Sequence, residues 1–291
     1  MGNFLVKIAP NSGLSTDVFP PSSTFEPERD MPDLSGKITL VTGGNAGIGY
    51  NTVKQLLLKN AKVYLAARSA DKAAEAIRKL NTETGKTAIF LKLDLADLPS
   101  VRRAAMEFLA RESRLDILFN NGHPFSLKLA SEFGTNVIGH YFLTKLLLPA
   151  LTASYEASRL PARIINTSSA GHKSGPARDA WLKPLSPTVA TWRLYGQSKL
   201  GNIIISNHFA RRTRTYSRMP GWLQLLMDWV LPPPAIGAYT QLWAGTTARP
   251  AQITGQYLIP YARIGKASPI AANSSLERET IAYLEEQVRE F

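Results

Sequence analysis

The stretch that decides the fold is Thr42-Gly43-Gly44-Asn45-Ala46-Gly47-Ile48-Gly49. An apolar run at residues 38–41 precedes it, and a run with helical character at residues 50–60 follows it. A strand, a glycine-rich turn and a helix in this order form the context in which a dinucleotide-binding fingerprint occurs. The glycine spacing alone is also compatible with an ordinary strand-to-helix turn, which is the alternative.

Each of three glycines in this stretch has a separate physical use. Gly43 tolerates a positive φ, Gly47 allows the backbone to approach a pyrophosphate, and Gly49 allows the helix to pack close to the strand. The amide groups at the helix start favour the negative charge of a phosphate. We therefore expect a nucleotide to bind at this turn.

Apolar runs and helical patterns alternate over the following residues. Strands are predicted at residues 37–41, 61–66, 87–93, 115–119 and 163–167, and helices at 50–60, 70–80, 98–111 and 131–151, with a further helix starting at Tyr195 and continuing through 205. This alternation predicts an α/β fold with a doubly wound, Rossmann-like parallel sheet, in which ligands bind at the carboxyl ends of the strands. The proline-rich residues 1–35 are predicted to form an irregular lead, and residues 36–291 a single domain.

The composition excludes several classes of site. The chain of 291 residues contains no cysteine, which rules out disulfides and thiol catalysis, and its four histidines show no metal-ligand spacing. No membrane-length apolar run and no secretory signal are visible, so a metal-independent cytoplasmic protein is expected. The net charge of +12 leaves nucleic-acid binding as an alternative, but the densest basic group, Arg211, Arg212, Arg214 and Arg218, has only Tyr216 as an aromatic neighbour. A solvated basic face without a nucleic-acid partner is therefore preferred.

Residues at the predicted strand ends indicate the cofactor. Arg68 follows the second strand, where an acidic residue would hold the ribose of NAD, and an arginine can instead pair with the 2′-phosphate of NADP. Asp94, which precedes Leu95 after the third strand, can accept a hydrogen bond from an adenine amino group. Asn121 ends the fourth strand at the same edge. The alternatives are a loop-capping arginine and an ordinary loop aspartate.

Three residues suggest proton transfer. Tyr195 and Lys199 stand at positions i and i+4 of one helix face, so the ammonium can lower the pKa of the phenol. Ser169, which follows the fifth strand, can hydrogen-bond the same substrate oxygen. The alternative for the tyrosine–lysine pair is a solvated helix face.

Together these motifs resemble the short-chain dehydrogenase/reductase family, and most closely its retinol-dehydrogenase-like branch and fungal members. The residues that carry the resemblance are the stretch 42–49, Asn120-Asn121-Gly122, Phe133-Gly134-Thr135-Asn136, Ser169, Tyr195 and Lys199. The resemblance implies that Asn136, Ser169, Tyr195 and Lys199 form the catalytic set, with Asn136 in a water-mediated proton relay. It also implies that Asn45, Ile48 and Leu95 contact the cofactor, that Tyr195 and Lys199 contact it too, and that the helices bearing Asn136 and Tyr195 pair in a homodimer.

The chain departs from the family pattern in two places. Only 15 residues separate Asn121 from Asn136, where the family has a longer connection. After Lys199, a basic run leads into Met219-Pro220-Gly221 with no apolar strand before it, so the usual sixth strand is predicted to be missing. Either residues 206–218 provide a substitute, or the protein is impaired.

The expected activity is that of an NADP-dependent oxidoreductase which interconverts a small apolar carbonyl compound and its alcohol, with a role in fungal secondary metabolism implied by the resemblance. Residues 222–231 form an amphipathic stretch suited to an apolar substrate wall, or alternatively to core packing. The competing hypothesis is a degenerate, non-catalytic member of the same fold that binds a nucleotide or a protein partner.

Overall fold

A computed structural model of the chain describes residues 24–122, 132–174, 187–212 and 234–291. The strands of its main sheet are β1 (Ile38–Thr42), β2 (Lys62–Ala67), β3 (Ile89–Lys92), β4 (Ile117–Asn120) and β5 (Arg163–Asn166). Two short strands follow, β6 (Leu258–Ile259) and β7 (Arg263–Ile264). The helices are α1 (Pro27–Asp30), α2 (Gly47–Leu58), α3 (Ala70–Thr84), α4 (Leu98–Arg111), α5 (His140–Ser158), α6 (Pro187–Arg212), α7 (Pro234–Leu242), α8 (Pro250–Ile253) and α9 (Ser274–Gln287).

The five strands of the main sheet are parallel and stand in the order β3-β2-β1-β4-β5. The chain moves outward from β1 to β3 and then returns to the other side of β1, so the order reverses between β1 and β4. This confirms the predicted doubly wound, Rossmann-like sheet, and it places the topological switch point at the carboxyl ends of β1 and β4.

Apolar side chains cover both faces of this sheet. On one face, β4 and α4 contribute the fully buried Leu118 and Phe108, and on the other, α2 and β2 contribute Leu56 and Leu65. The core extends before residue 36, because Phe25, Met31 and Leu34 are buried in the second of these clusters. None of the helices in the described ranges combines the length and the apolar character that crossing a bilayer requires.

The helix that carries Tyr195 begins earlier than predicted. It starts at Pro187 and ends at Arg212, so Tyr195 lies inside the helix and the prediction of a helix start at this residue was wrong. Proline suits the first turn of a helix, and neither glycine nor proline interrupts the residues between Pro187 and Tyr195. The same helix includes residues 206–212, which therefore do not supply a substitute strand.

Within the described ranges no strand pairs with the outer edge of β5, and β6 and β7 pair only with each other. The predicted lack of a sixth strand therefore agrees with the part of the chain that the structure describes. All five residues of β1 are buried, whereas all four residues of β5 are only half-buried. The sheet is thus protected at its centre and more accessible at the β5 side.

This contrast gives a prediction for hydrogen exchange. Amide protons of Ile38–Thr42 are expected to exchange at least tenfold more slowly than those of Arg163–Asn166, because β1 has ladder partners on both sides and β5 has one described partner, β4. Exchange followed by mass spectrometry on peptides from the two strands checks it. Equal protection of the two strands would show that something pairs with the outer edge of β5.

Candidate active site

The glycine turn after β1 has the tight geometry that its sequence predicts. Gly43 has a φ of +64° and Gly47 a φ of +55°, a region that favours glycine. A Cβ atom placed on Gly49 would lie 2.2 Å from the Gly43 carbonyl oxygen, whereas one placed on Gly47 would meet no atom within 4 Å. Gly49 therefore permits the close helix–strand packing, and Gly47 faces space that a ligand can enter.

The start of α2 is suited to a phosphate group. Ala46 is the residue before the helix, and no side chain caps the first amide groups of the helix. Asn45 and Ile48 lie beside these amides and are both half-buried. Uncapped amides at a helix N-terminus, next to the open side of Gly47, can bind an anion.

The ends of β2 and β3 place the other predicted cofactor residues on the same edge. Arg68 is exposed and makes no hydrogen bond or ion pair with any described residue. Asp94 accepts a hydrogen bond from the Ala96 amide at 3.0 Å, so its carboxylate is held within a turn. Leu95 is buried, and its carbonyl oxygen lies 2.3 Å from the position of a Cβ atom on Gly139, which ties this turn closely to the N-terminal end of α5.

The end of β4 is fastened to the end of β1. The backbone amides of Asn121 and Gly122 both donate to the Thr42 hydroxyl, at 2.9 and 2.8 Å. The Asn121 side-chain amide donates to the Thr42 carbonyl at 3.1 Å. Asn121 therefore holds the two central strands together at the edge where a nucleotide would lie.

Asn136 lies in a π-helical segment, Gly134–Gly139, that leads into α5. Its side-chain Nδ2 donates to Ser198 Oγ at 3.1 Å, and Ser198 Oγ donates to the Tyr195 carbonyl at 2.9 Å. The Asn136 Oδ1 atom is buried and has no hydrogen-bond partner in the part of the chain that the structure describes. A π-helical turn is frequent at functional sites, and here it directs the amide towards α6.

The structure brings Tyr195, Lys199 and Ser169 together. Lys199 Nζ lies 5.3 Å from the centre of the Tyr195 ring. A Cβ atom placed on Gly171 would be 3.1 Å from Tyr195 Cε1 and 3.6 Å from Ser169 Oγ, so both side chains border the same glycine. The Gly171 amide donates to Ser169 Oγ at 3.2 Å.

Burial strongly affects the charge of Lys199. Its side chain is 1% exposed. Burial lowers the pKa of Lys199 to about 7, and the negative charge of Glu132 acts in the opposite direction. The amine and the ammonium are therefore both populated near neutral pH, which suits a group that tunes proton transfer.

Sequence reasoning missed several residues that hold this site. Glu132, whose charge acts on Lys199, and His140, whose ring contacts the Asn136 carbonyl oxygen, were not singled out. Both are spaced four residues from Asn136 and so share its helix face. His172 was also missed: its Nδ1 bonds the Ser169 carbonyl at 2.7 Å, and its Nε2 accepts from the Ser268 amide at 2.9 Å. The i, i+4 spacing was a usable signal for the first two, but the contact to Ser268 has no local signal.

Two predicted features lie outside the described residues. These are Arg214 and Arg218, the part of the basic run that follows Arg212, and the amphipathic stretch 222–231. Arg211, in contrast, forms an ion pair with Glu277 of α9. Its charge is therefore partly compensated within the fold.

A family model and the relatives described here all indicate a dehydrogenase or reductase. A family model described as short chain dehydrogenase matches residues 37–180. A short-chain dehydrogenase/reductase of Armillaria gallica is 42% identical over 305 aligned positions, which cover 96% of this chain and 98% of that protein. Retinol dehydrogenase 11 of Mus musculus is 36% identical over 252 positions, covering 77% of this chain and 78% of that protein. The alignment with the Armillaria protein has 305 positions, more than the 291 residues of this chain, so the Armillaria protein contains residues that this chain lacks.

Solved structures share the same architecture. RhlG of Pseudomonas aeruginosa, in an active-site complex with NADP, matches with a TM-score of 0.52 and 29% identity over 63% of this chain and 68% of that chain. An uncharacterized protein from Mycobacterium paratuberculosis matches with a TM-score of 0.66 and 24% identity over 92% of this chain and 98% of that chain. The second likeness concerns the fold alone.

Proposed function

The chain belongs to the short-chain dehydrogenase/reductase family of nicotinamide-dependent oxidoreductases, and on this premise we propose that it is an NADP-dependent enzyme that interconverts a small apolar carbonyl compound and its alcohol. The observation that carries the proposal is that Tyr195 and Ser169 meet beside Gly171 and that Lys199 Nζ lies 5.3 Å from the centre of the Tyr195 ring. A phenol, a buried amine and a hydroxyl group at one place are suited to moving a proton on a substrate oxygen.

The residues at the strand ends fit a dinucleotide. The amides at the start of α2 and the open side of Gly47 would receive the pyrophosphate. Arg68 would hold the 2′-phosphate, Asp94 and Leu95 would border the adenine, and Lys199 would reach the nicotinamide ribose. When bound, the nicotinamide supplies the hydride that reduces the carbonyl carbon, or accepts it in the opposite direction.

Residues of the chain itself would transfer the proton. In the reductive direction Tyr195 donates its hydroxyl proton to the carbonyl oxygen as the carbon receives the hydride, and the resulting phenolate is reprotonated from solvent through a relay that includes Asn136. The charged form of Lys199 stabilises that phenolate. Ser169 donates a hydrogen bond to the same substrate oxygen and so orients it.

Cofactor preference is the first test of this proposal. Arg68→Asp is expected to weaken NADPH binding about 10- to 100-fold and to make NADH the preferred ligand, because it removes a charge-assisted pair and places a carboxylate opposite a phosphate. Dissociation constants from cofactor fluorescence would measure it. The control is Arg78→Asp, which makes the same charge change at an exposed arginine within α3. Equal affinity of the wild type for NADPH and NADH would contradict the proposed specificity.

One observation favours the competing function. No described strand covers the outer edge of β5, which in a complete sheet of this family would be paired. A degenerate member that binds a nucleotide or a protein partner without turnover would retain the glycine turn but would not depend on the Tyr195 hydroxyl. Measuring turnover and cofactor binding separately distinguishes the two functions.

Several further expectations stay predictions. The apolar nature of the substrate rests on residues 222–231, which lie outside the described ranges. A role in fungal secondary metabolism, a cytoplasmic location and a homodimer built from the helices that bear Asn136 and Tyr195 rest on the family resemblance. Size-exclusion chromatography with light scattering would decide the oligomeric state.

A further inference from the structure

A buried chain of hydrogen bonds leads from the cofactor edge of the sheet to Asn136. It begins at Thr42 Oγ1, which receives the amides of Asn121 and Gly122 and lies 2.9 Å from His140 Nε2. On its other side, His140 Nδ1 lies 2.9 Å from the Asn136 carbonyl oxygen. One imidazole thus bridges the end of β1 and the π-helical turn of the reaction centre.

The chemistry of the partners fixes the direction of each bond. A carbonyl oxygen only accepts, so Nδ1 must carry the proton that is donated to Asn136. In the neutral ring Nε2 is then an acceptor, and it receives the proton of the Thr42 hydroxyl. The Phe119 carbonyl also lies near that hydroxyl, at 3.4 Å, but the shorter distance favours His140.

The environment keeps this ring neutral. His140 is 1% exposed, and burial together with the positive charge of Lys199 lowers the pKa of His140 to about 4. At neutral pH the imidazole therefore holds a single tautomer, with one donor and one acceptor aimed in opposite directions.

The chain continues beyond Asn136 to the proton donor. The Asn136 side chain donates to Ser198 Oγ, and that hydroxyl donates to the Tyr195 carbonyl, so these two bonds link the Asn136 residue to the part of α6 that carries Tyr195. A shift of the carbonyl held by His140 would move the amide that touches Ser198. The bridge therefore connects the place where a nucleotide would bind with the place where a proton would move.

We propose that His140 is a positioning residue with two separable roles: its Nδ1–H group holds the Asn136 carbonyl for catalysis, and its Nε2 atom holds the Thr42 hydroxyl for cofactor binding. This inference rests on the proposed function for its catalytic half. The cofactor half stands on the contacts between Thr42 and the amides at the end of β4. The juxtaposition of these two groups across one ring is the observation that carries it.

Two substitutions separate the roles. In His140→Asn the shorter amide can reproduce the donor at the Nδ1 position but does not reach Thr42. In His140→Gln the longer amide can reproduce the acceptor at the Nε2 position but no longer holds the Asn136 carbonyl in the same way. A residue that only fills space would respond to both changes alike.

The expected result is a crossed pattern. His140→Asn should keep kcat within about threefold of the wild type and weaken NADPH affinity about tenfold. His140→Gln should keep NADPH affinity within about threefold and lower kcat about tenfold. In each case one hydrogen bond is lost, which corresponds to about a tenfold effect. The measurements are NADPH dissociation constants and kcat on a panel of apolar aldehydes and ketones, using the full chain. Imidazole ¹⁵N spectra of the wild type should show an Nδ1–H tautomer for the signal that both variants lose.

Equal losses of kcat and affinity in both variants, or an Nε2–H tautomer in the wild type, would overturn the positioning role. A wild type that binds NADPH but reduces nothing would overturn the proposed function. In that case the catalytic half fails with it, and the affinity difference between the two variants, together with the tautomer, decides the cofactor half of the role of His140. If one variant fails to fold, the other variant still assigns the His140 signal, and the tautomer of that signal in the wild-type spectrum then decides.

Discussion

Tyr195→Phe is expected to lower kcat by a factor of about 10² to 10⁴ while NADPH affinity stays within about threefold of the wild type. The substitution removes the proton donor and keeps the ring, which packs against Gly171 on the side of Ser169. The loss should appear in kcat, because the proton is transferred in the transition state and contributes little to ground-state binding. The glycine turn and Arg68 are untouched, so the nucleotide should still bind.

Two further variants serve as a control and as a second test. Tyr155→Phe removes a hydroxyl group from an exposed tyrosine on α5 and is the matched control, with no expected effect on either quantity. Lys199→Ala should reduce both kcat and NADPH affinity, because the amine is proposed to serve the phenol and the ribose. It also leaves a cavity at a buried position, so its thermal midpoint should be recorded alongside.

The outcome separates the two functions. Hydride transfer from NADPH to the panel of carbonyl compounds is followed by the loss of absorbance of the reduced cofactor. If the wild type and Tyr195→Phe bind NADPH equally and neither reduces any substrate, the catalytic proposal fails. A non-catalytic nucleotide-binding protein would then describe the chain better.

Local physics explains why the glycine turn and the neighbouring strand ends could be predicted from the sequence. The glycine turn needs a positive φ at Gly43 and close backbone packing at Gly49, and only a few residue types satisfy either demand. The strands are short apolar runs separated by helical segments, and this alternation predicts a parallel sheet with helices in the crossovers. The order β3-β2-β1-β4-β5 comes from the structure. Arg68, Asp94 and Asn121 follow directly from being the residues after strands whose carboxyl ends share one edge.

The parts that sequence reasoning missed depend on contacts between distant segments. His140 meets Thr42, and His172 meets Ser268, across stretches of 98 and 96 residues. Nothing in the residues next to either histidine indicates such a partner. The start of α6 was also missed, because the Tyr195–Lys199 spacing places the two residues on one helix face but carries no information on where the helix begins; Pro187 suits the first turn.

The same two histidines lead to the second large effect, a loss of stability in mild acid. Burial lowers the pKa of His140 and of His172 to about 4 in each case, with Lys199 and Lys173 contributing through their positive charges. In the unfolded chain both rings titrate near their usual pKa of about 6.5. Between these values the unfolded state binds more protons, so the free energy of unfolding falls as the pH decreases from about 6.5 to about 4.

The expected loss is about 3 kcal/mol for each histidine, since one pKa unit corresponds to about 1.4 kcal/mol. Its structural cause is similar at both sites. Protonation of His140 would direct an Nε2–H group at the Thr42 hydroxyl, which already accepts two amides, and protonation of His172 would direct one at the Ser268 amide. A typical domain has a total stability of about 5–15 kcal/mol, so the combined loss would remove a large fraction of the free energy of unfolding.

Urea denaturation at half-unit steps from pH 7 to pH 4.5 would measure this loss. Lys199, whose pKa burial lowers to about 7, changes its contribution above this window. Asp116 has its pKa lowered from 3.8 against the opposing effect of burial, mainly by the Ile38 amide and Lys37, and it changes its contribution below the window. The pKa of Glu83 is lowered from 4.5 mainly by its hydrogen bond with Lys54, so its contribution changes only at the lower end of the scan. His172→Gln should reduce the pH dependence of the free energy near pH 5 from about two protons to about one. A wild-type stability that stays constant from pH 6.5 to pH 4.5 would mean that these rings are not held neutral by the fold, and the fixed tautomer of His140 on which its bridging role depends would then have no basis.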